Sequence, residues 1–394
     1  MKRRIGSAVC VMWLLFTLQI VALNRTAPWA GAVVRAATVN AEPQSSPPDK
    51  PAEQTFKNIQ VLKGLPSSQL YPVMWFIRDS LGVHCDYCHV KQGPDLDKGW
   101  TWESDDKPQK VRAREMMKMV LDINRANFGG GQAVTCYTCH RGSPDVARAV
   151  PMPPPAFTST EAAVKGGALP TAEQVLSRYV AAVGGRDAAA KFSATTLKGT
   201  LERRVSVKNQ IETAAYQIEV VVKAPDKYLR TMKTPQGVAV QGLNGAVGWV
   251  RNNNDSRQAS AEEVARLRSA AALYNPVKVT EQPAQLKVIG TEKIGDRETY
   301  VVAFAVEPKT TKLYFFDTQT GLLLRQTTTA NTMIAPLAEQ VDFEDYREVD
   351  GVKLPFTMRT SDVDAFSPTT RRFTEIRHEG AVDDAIFNPP AAPK

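Results

Sequence analysis

Two copies of one pentapeptide pattern constrain this chain more than any other feature: Cys85-Asp86-Tyr87-Cys88-His89 and Cys136-Tyr137-Thr138-Cys139-His140. C-x-x-C-H is the pattern that attaches a c-type haem. Its two thiols add across vinyl groups on one edge of a rigid porphyrin, which fixes their spacing, and the adjoining histidine is set beneath the iron. Four of the five cysteines and two of the four histidines lie in these motifs; the remainder are Cys10, His84 and His378. No cysteine pair is left for a structural disulfide. A four-cysteine zinc site fits poorly, because its pairs stand roughly 15–20 residues apart. Here 48 positions separate Cys88 from Cys136, and a histidine follows each pair. A thioredoxin-like site would need one such motif beside a βαβ pattern, which is not visible. The expected cofactor is therefore haem c, in two copies. Cys85, Cys88, Cys136 and Cys139 attach it, and His89 and His140 are the proximal iron ligands.

The N-terminus reads as an export signal. Lys2, Arg3 and Arg4 precede an apolar run from Ala8 to Leu23, and Ala30-Gly31-Ala32 offers a small-residue cleavage site. The run is shorter than the roughly 17–25 residues of a membrane span, and retention as an N-terminal anchor is the alternative. Haem attachment takes place outside the bacterial cytoplasmic membrane, so export and the motifs agree on a periplasmic location. The formal charge of +8 does not imply nucleic acid. Four of those charges (Lys2, Arg3, Arg4 and Arg25) lie in the leader, two haems would add up to four propionates, and no cationic cluster stands out.

The fold class expected is a mainly α haem domain of the multihaem c-type cytochrome kind. An α+β domain with a curved antiparallel β-sheet or open barrel follows it. The boundaries are a signal or anchor at 1–32, a Pro/Ser/Ala tether at 33–54 and a diheme domain at 55–146. A Pro/Gly-rich linker at 147–170 then leads to the sheet domain at 171–390.

Within 55–146 the spacing predicts a helix over 68–81, capped by Ser67 or Ser68, with Leu70, Met74, Ile77 and Leu81 on one face. A second helix is predicted over 108–126, with Asp106 ahead of it and Pro108 in its first turn. Met116, Val120 and Ile123 share its face, with Met119 on the flank. Each helix ends shortly before a C-x-x-C-H motif. A domain of this size has a small core of its own, and porphyrins would supply much of what the helices pack against. His84 abuts its own motif and His378 lies far off in the other domain, so methionine is the better sixth ligand. Met74 precedes Cys85 by 11 residues and Met116 precedes Cys136 by 20. Core filling is the other role open to these methionines. Arg78, Arg112, Arg114 and Arg141 are near enough in sequence to meet propionates.

The run Arg114-Glu115-Met116-Met117-Lys118-Met119-Val120-Leu121-Asp122-Ile123-Asn124, with Val134-Thr135 and Cys136 to Gly142 after it, resembles the cytochrome c subunit of the photosynthetic reaction centre. The resemblance covers about residues 55–150. It implies a helix, a turn and C-x-x-C-H for each haem, with the helix supplying the sixth ligand. Met74 would then ligate the haem on Cys85, Cys88 and His89, and Met116 the haem on Cys136, Cys139 and His140. Met119 and Met117 are the substitutes at the second site. Subunits of that family typically carry four haems, whereas two motifs stand here. The family's histidine between the second methionine helix and its motif has no counterpart in residues 127–134. A diheme half of that architecture is implied, and a role in photosynthesis does not follow.

Beyond the linker, Thr171-x-x-Gln174 and Ser260-x-x-Glu263 are capping boxes for helices at about 172–183 and 261–273. Strands are expected at 213–223, 227–233, 237–243, 246–251, 284–290, 298–306, 311–317, 321–329, 340–347, 352–361 and 370–378. Gly295-Asp296 and Asp350-Gly351 signal hairpins. Residues 313–317 with 320–323 resemble the half-barrels of periplasmic lipoprotein carriers. Such a concavity either holds an apolar ligand or is packed with side chains. His378 reads as a strand residue.

These readings converge on a periplasmic diheme electron carrier, not an enzyme. Its partners would be redox proteins, some of them membrane-bound, with membrane association through the N-terminus and no nucleic acid. The alternatives are a diheme peroxidase with an open iron and an apolar-ligand carrier with a haem redox sensor.

Overall fold

The computed structural model describes residues 49–93, 98–146, 169–190, 193–207, 210–253, 255–281, 285–307, 310–363 and 368–390. The segment 1–32, most of 33–54 and most of 147–170 lie outside them, as does Cys10. Among the described residues no helix is long and apolar enough to cross a membrane.

The haem-motif region is built on α1 (Ala52–Thr55), α2 (Leu70–Leu81), α3 (Pro108–Asn127) and α4 (Cys136–His140), with a short hairpin of β1 (Val90–Lys91) and β2 (Trp100–Thr101). Both long helices fall where the periodicity puts them, and Pro108 opens the second as expected, but the cap of the first and the buried face of the second differ. The first opens with a 3-10 turn at Ser67–Gln69, and neither serine caps it in the usual way. Their hydroxyls instead donate to Asp49, at 2.7 Å from Ser67 and 2.5 Å from Ser68. The anion at this helix start therefore comes from outside the helix, which local sequence cannot show. On α3 the buried stripe is Met117, Val120 and Asn124, displaced from the expected Met116, Val120 and Ile123. The helix has two inward sides: Ala113 and Met117 meet α2, while Met116 and Met119 border a cavity described below.

The core of this region is not its own. Leu62, Leu65, Leu70, Val73, Ile77 and Met117 cluster with Ile334 and Ala335, which belong to a turn of the β-sheet. That turn is tightened by Thr332, whose hydroxyl donates to Ala335 O at 2.8 Å and accepts from the Ile334 and Ala335 amides. A small helical region thus gains buried area by resting on the larger one.

The second region opens with α5 (Ala172–Ala182) and α6 (Arg186–Ala190), followed by β3 (Ala194–Val207), β4 (Gln210–Lys223), β5 (Lys227–Thr234), β6 (Gly237–Asn244), β7 (Val247–Asn252) and β8 (Asp255–Gln258). Helix α7 (Ala261–Ala272) then leads to β9 (Leu286–Ile294), β10 (Arg297–Glu307), β11 (Thr310–Asp317), β12 (Leu323–Asn331), β13 (Pro336–Val349), β14 (Val352–Ser361) and β15 (Thr369–Glu379). The expected strands are present, and β3 and β8 join them. Among the described residues the sheet is antiparallel throughout, in the order β8-β7-β6-β5-β4-β3-β15-β14-β13-β12-β11-β10-β9. Two meanders meet where β15 pairs β3, and the edges β8 and β9 do not close on each other. The turn before β14 has Asp350 and Gly351 at φ 52° and 84°, as an Asp-Gly hairpin requires.

Helices α5 and α7 cover one face, packing Val175, Leu176, Tyr179, Val264 and Leu267 against Leu197, Val220, Tyr228, Phe316 and Met358. Under α7 a cavity of about 680 Å³ remains, bordered by Tyr179, Tyr274, Phe304, Lys312 and Met358. Both outcomes expected for the concavity, packing and a hollow, are thus present in part.

Both capping boxes form. Thr171 N donates to Gln174 Oε1 at 2.9 Å, and Ser260 N donates to Glu263 Oε2 at 2.9 Å. Arg257 also donates twice to the Glu263 carboxylate, each at 2.7 Å, and holds its pKa down to about 2. A carboxylate lowered on folding adds stability above its unfolded value, here 4.5, and loses it as pH falls to about 2. Glu263→Gln is therefore expected to lower Tm at neutral pH, and thermal melts of both proteins should converge near pH 2. A gap that persists there would show that the charge is not the source.

Candidate haem site

Each motif is held by its own local device. Helix α2 stops at Gly82, whose φ of 64° turns the chain out of the helix. Three residues later, Cys85–Tyr87 form a 3-10 turn closed by Cys88 N donating to Cys85 O at 3.2 Å, and His89 N donates to the same carbonyl at 2.9 Å. The second motif is the helix α4 itself, started by Thr135 N donating to Thr138 Oγ1 at 3.0 Å and ended by Arg141 at φ 51°. Ahead of it the buried Asn124 clamps the loop from α3. Its amide donates to Val134 O at 2.7 Å, and its oxygen accepts from Val134 N at 2.9 Å. The two devices are also tied together: Gly142 N donates to Ser80 O at 2.8 Å.

Two cavities flank these segments. The first, of about 450 Å³, is bordered by Cys85, Cys88 and His89 together with Met74, Trp102 and Arg114. The second, of about 1140 Å³, is bordered by Cys136, Cys139 and His140 together with Met116, Met119 and Arg141. Each therefore holds one cysteine pair, one motif histidine and a methionine from the preceding helix. Ile77, Leu81, Cys88, Ala113 and Met117 line both cavities and form the wall between them.

Both motif histidines have one ring nitrogen engaged by a backbone carbonyl. His89 Nδ1 lies 3.1 Å from Trp102 O, and His140 Nδ1 lies 3.0 Å from Ser143 O. A carbonyl only accepts, so Nδ1 carries the proton in both rings and Nε2 keeps its lone pair. This is the outer-shell arrangement that fixes a metal-binding imidazole. Burial holds the His89 imidazole below its ordinary pKa, which favours the neutral form a metal needs. The Cys136 thiol is pushed up to about 11 by burial, and Cys88 is raised by burial with Cys85 beside it. The cysteine pairs, the Nε2 atoms and the methionines fit haem c.

All eight residues expected at the site thus come together, four at each cavity. Met119 also borders the second cavity but is 45% exposed, and Met117 is buried in the dividing wall. His84 is exposed at the rim of the first cavity, and His378 lies on β15 with Nδ1 3.0 Å from Thr195 Oγ1. Arg78 and Arg114 border the first cavity, Arg112 and Arg141 the second. Sequence reasoning did not find Asn124, Trp102 or Lys110. Asn124 leaves a trace, being a polar residue one turn beyond Val120 on the buried stripe. Trp102 acts through its carbonyl, which any residue would supply.

Paired cysteines, carbonyl-anchored histidines and methionine-bearing cavities are the kind of donor set that haem c takes. Residues 22–178 match the family described as photosynthetic reaction centre cytochrome C subunit. Cytochrome c-554 from Chloroflexus aurantiacus is 37% identical over 95 residues, covering 22% of this chain and 21% of that protein. The photosynthetic reaction center cytochrome c subunit of Thermochromatium tepidum is 35% identical over 98 residues, covering 24% and 22%. The chain thus spans about a fifth of the length of these curated relatives, and the resemblance seen in residues 55–150 holds. For the sheet, a LolA superfamily protein from Nitrosomonas europaea aligns over 56% of this chain and 98% of its own, with TM-score 0.38 and 12% identity. A putative outer membrane lipoprotein-sorting protein domain from Vibrio parahaemolyticus aligns over 55% and 97%, with TM-score 0.39 and 12% identity.

Proposed function

We propose that this protein is an exported, periplasmic diheme c-type cytochrome that carries electrons between redox partners and catalyses no substrate chemistry of its own. The observation that carries the reading is the repeated set of donors: two cysteines, a histidine with Nδ1 engaged, and a methionine, at each cavity. Cys85 and Cys88 would attach one haem, with His89 and Met74 as the residues that hold its iron; Cys136 and Cys139 would attach the other, with His140 and Met116 in that role. Haem c supplies one-electron chemistry when bound. The chain's part is to hold two ligands on each iron, which leaves no position for a substrate, and to exclude water with apolar walls. Its partners are redox proteins, membrane-bound ones included, by analogy with the reaction-centre subunits it resembles. The sheet region carries the haem region, and its 680 Å³ hollow is where an apolar ligand would sit.

The test is a pyridine haemochrome count with intact mass on protein exported in a host that attaches haem c. Two covalent haems per chain are expected. One, or none, sinks the proposal, and a high-spin five-coordinate iron in the oxidised protein would point to the peroxidase alternative.

A further inference from the structure

The carbonyl that anchors His89 has a second donor. Lys110 Nζ donates to Trp102 O at 2.8 Å and to Ser104 O at 2.8 Å. Its side chain, reaching back from the first turn of α3, is only 12% exposed. Asp105 lies 3.3 Å from the ammonium and 2.9 Å from Arg114, and also accepts from Asn58. The hydrogen bonds from Arg114 and Asn58 hold the Asp105 carboxyl well below the usual carboxylate range, so it is an anion at neutral pH. The Trp102 carbonyl is itself fixed in place. The indole meets the His89 ring edge-on at 5.1 Å between centroids and stacks on Trp100 at 4.3 Å.

We propose that Lys110 is a positioning residue that raises the reduction potential of the haem held by His89, by sharing the carbonyl that His89 uses. This rests on the diheme reading above. An imidazole whose N–H is strongly accepted becomes more basic and favours the oxidised iron; weaker acceptance has the opposite effect. A carbonyl already polarised by an ammonium accepts less from Nδ1–H. The ammonium's own charge, set in a half-buried place where water screens it poorly, acts in the same direction. At the second motif the acceptor is Ser143 O, on a turn closed by Ser143 N donating to His140 O at 3.0 Å. The two haems should therefore differ in potential even with the same pair of ligands.

Redox titration of the full-length holoprotein tests this. In Lys110→Gln the reduction equilibrium constant of one haem should fall about tenfold, or about 59 mV for a one-electron couple. The other haem should stay put. The haem that moves should be the one whose methionine signature is removed by Met74→Ala, and Lys110→Arg should restore most of the shift. Asp105→Asn, which takes away the counter-ion, should move the same haem upward, and Lys110→Met, with the same downward shift expected, decides the matter if Lys110→Gln does not accumulate. Two covalent haems with unmoved potentials would overturn this inference and leave the diheme reading standing, as would equal shifts at both haems. Fewer than two covalent haems in the unaltered protein would overturn both.

Discussion

Alanine at Met74 or at Met116 is expected to remove the methionine–iron absorbance of one haem and leave that of the other. The potential of the affected haem should fall by on the order of 100 mV or more, because a thioether favours the reduced iron and axial ligands set potentials over a wide range. The two variants should be complementary, since Met74 borders only the first cavity and Met116 only the second. Met117→Leu is the control: its side chain lies in the wall, so both methionine signatures should persist. Optical redox titration of the three variants reads the outcome. If Met116→Ala left both signatures intact while Met119→Ala removed one, the ligand at the second haem would be Met119.

Gly82→Ala is expected to cost more stability than replacement of a comparable glycine elsewhere in the same region. Two penalties coincide there. The φ of 64° disfavours any residue with a Cβ, and that Cβ would run into the carbonyl oxygen of Gly142. The backbone term alone is of order 1–3 kcal/mol, and the collision with main chain adds to it. Gly64 separates the two effects: its φ is 81°, yet nothing lies within 4 Å of a Cβ built on it. Denaturant unfolding should therefore show a clearly larger loss for Gly82→Ala than for Gly64→Ala. Equal losses would mean that α2 and the Gly142 turn part easily. A shift at this contact should also broaden the spectra of both haems, because Gly82 leads into one motif and Gly142 follows the other.

Much of this arrangement was legible before the structure. The motifs, the upstream helices and the capping boxes are local patterns, and local patterns survive folding when packing agrees with them. The misses share a cause. Strand β3 escaped because its buried side reads Leu197, Gly199, Leu201, and the gap at Gly199 breaks the alternation. The structure shows why the gap is there: a Cβ would meet the Arg372 carbonyl and Phe373 of β15. The helix-start anion at α2 comes from Asp49, and the first region's core takes in Ile334 and Ala335, partners that no sequence window contains. The expected face of α3 kept Val120 but lost Met116, because Met116 borders the second cavity while Met117 packs into the protein core, a division that one apolar stripe does not show.

The wall between the cavities has a consequence for how this protein can vary. Ile77, Leu81, Ala113, Met117 and the motif residue Cys88 each face both hollows. A change in volume at any of them is felt on two sides at once, so neither pocket can be reshaped through that partition alone. Independent adjustment is left to the outer walls, Trp102 and Lys110 on one side and Arg141 and Met119 on the other. Drift in such a chain should accordingly be slow at the partition and faster around the rim.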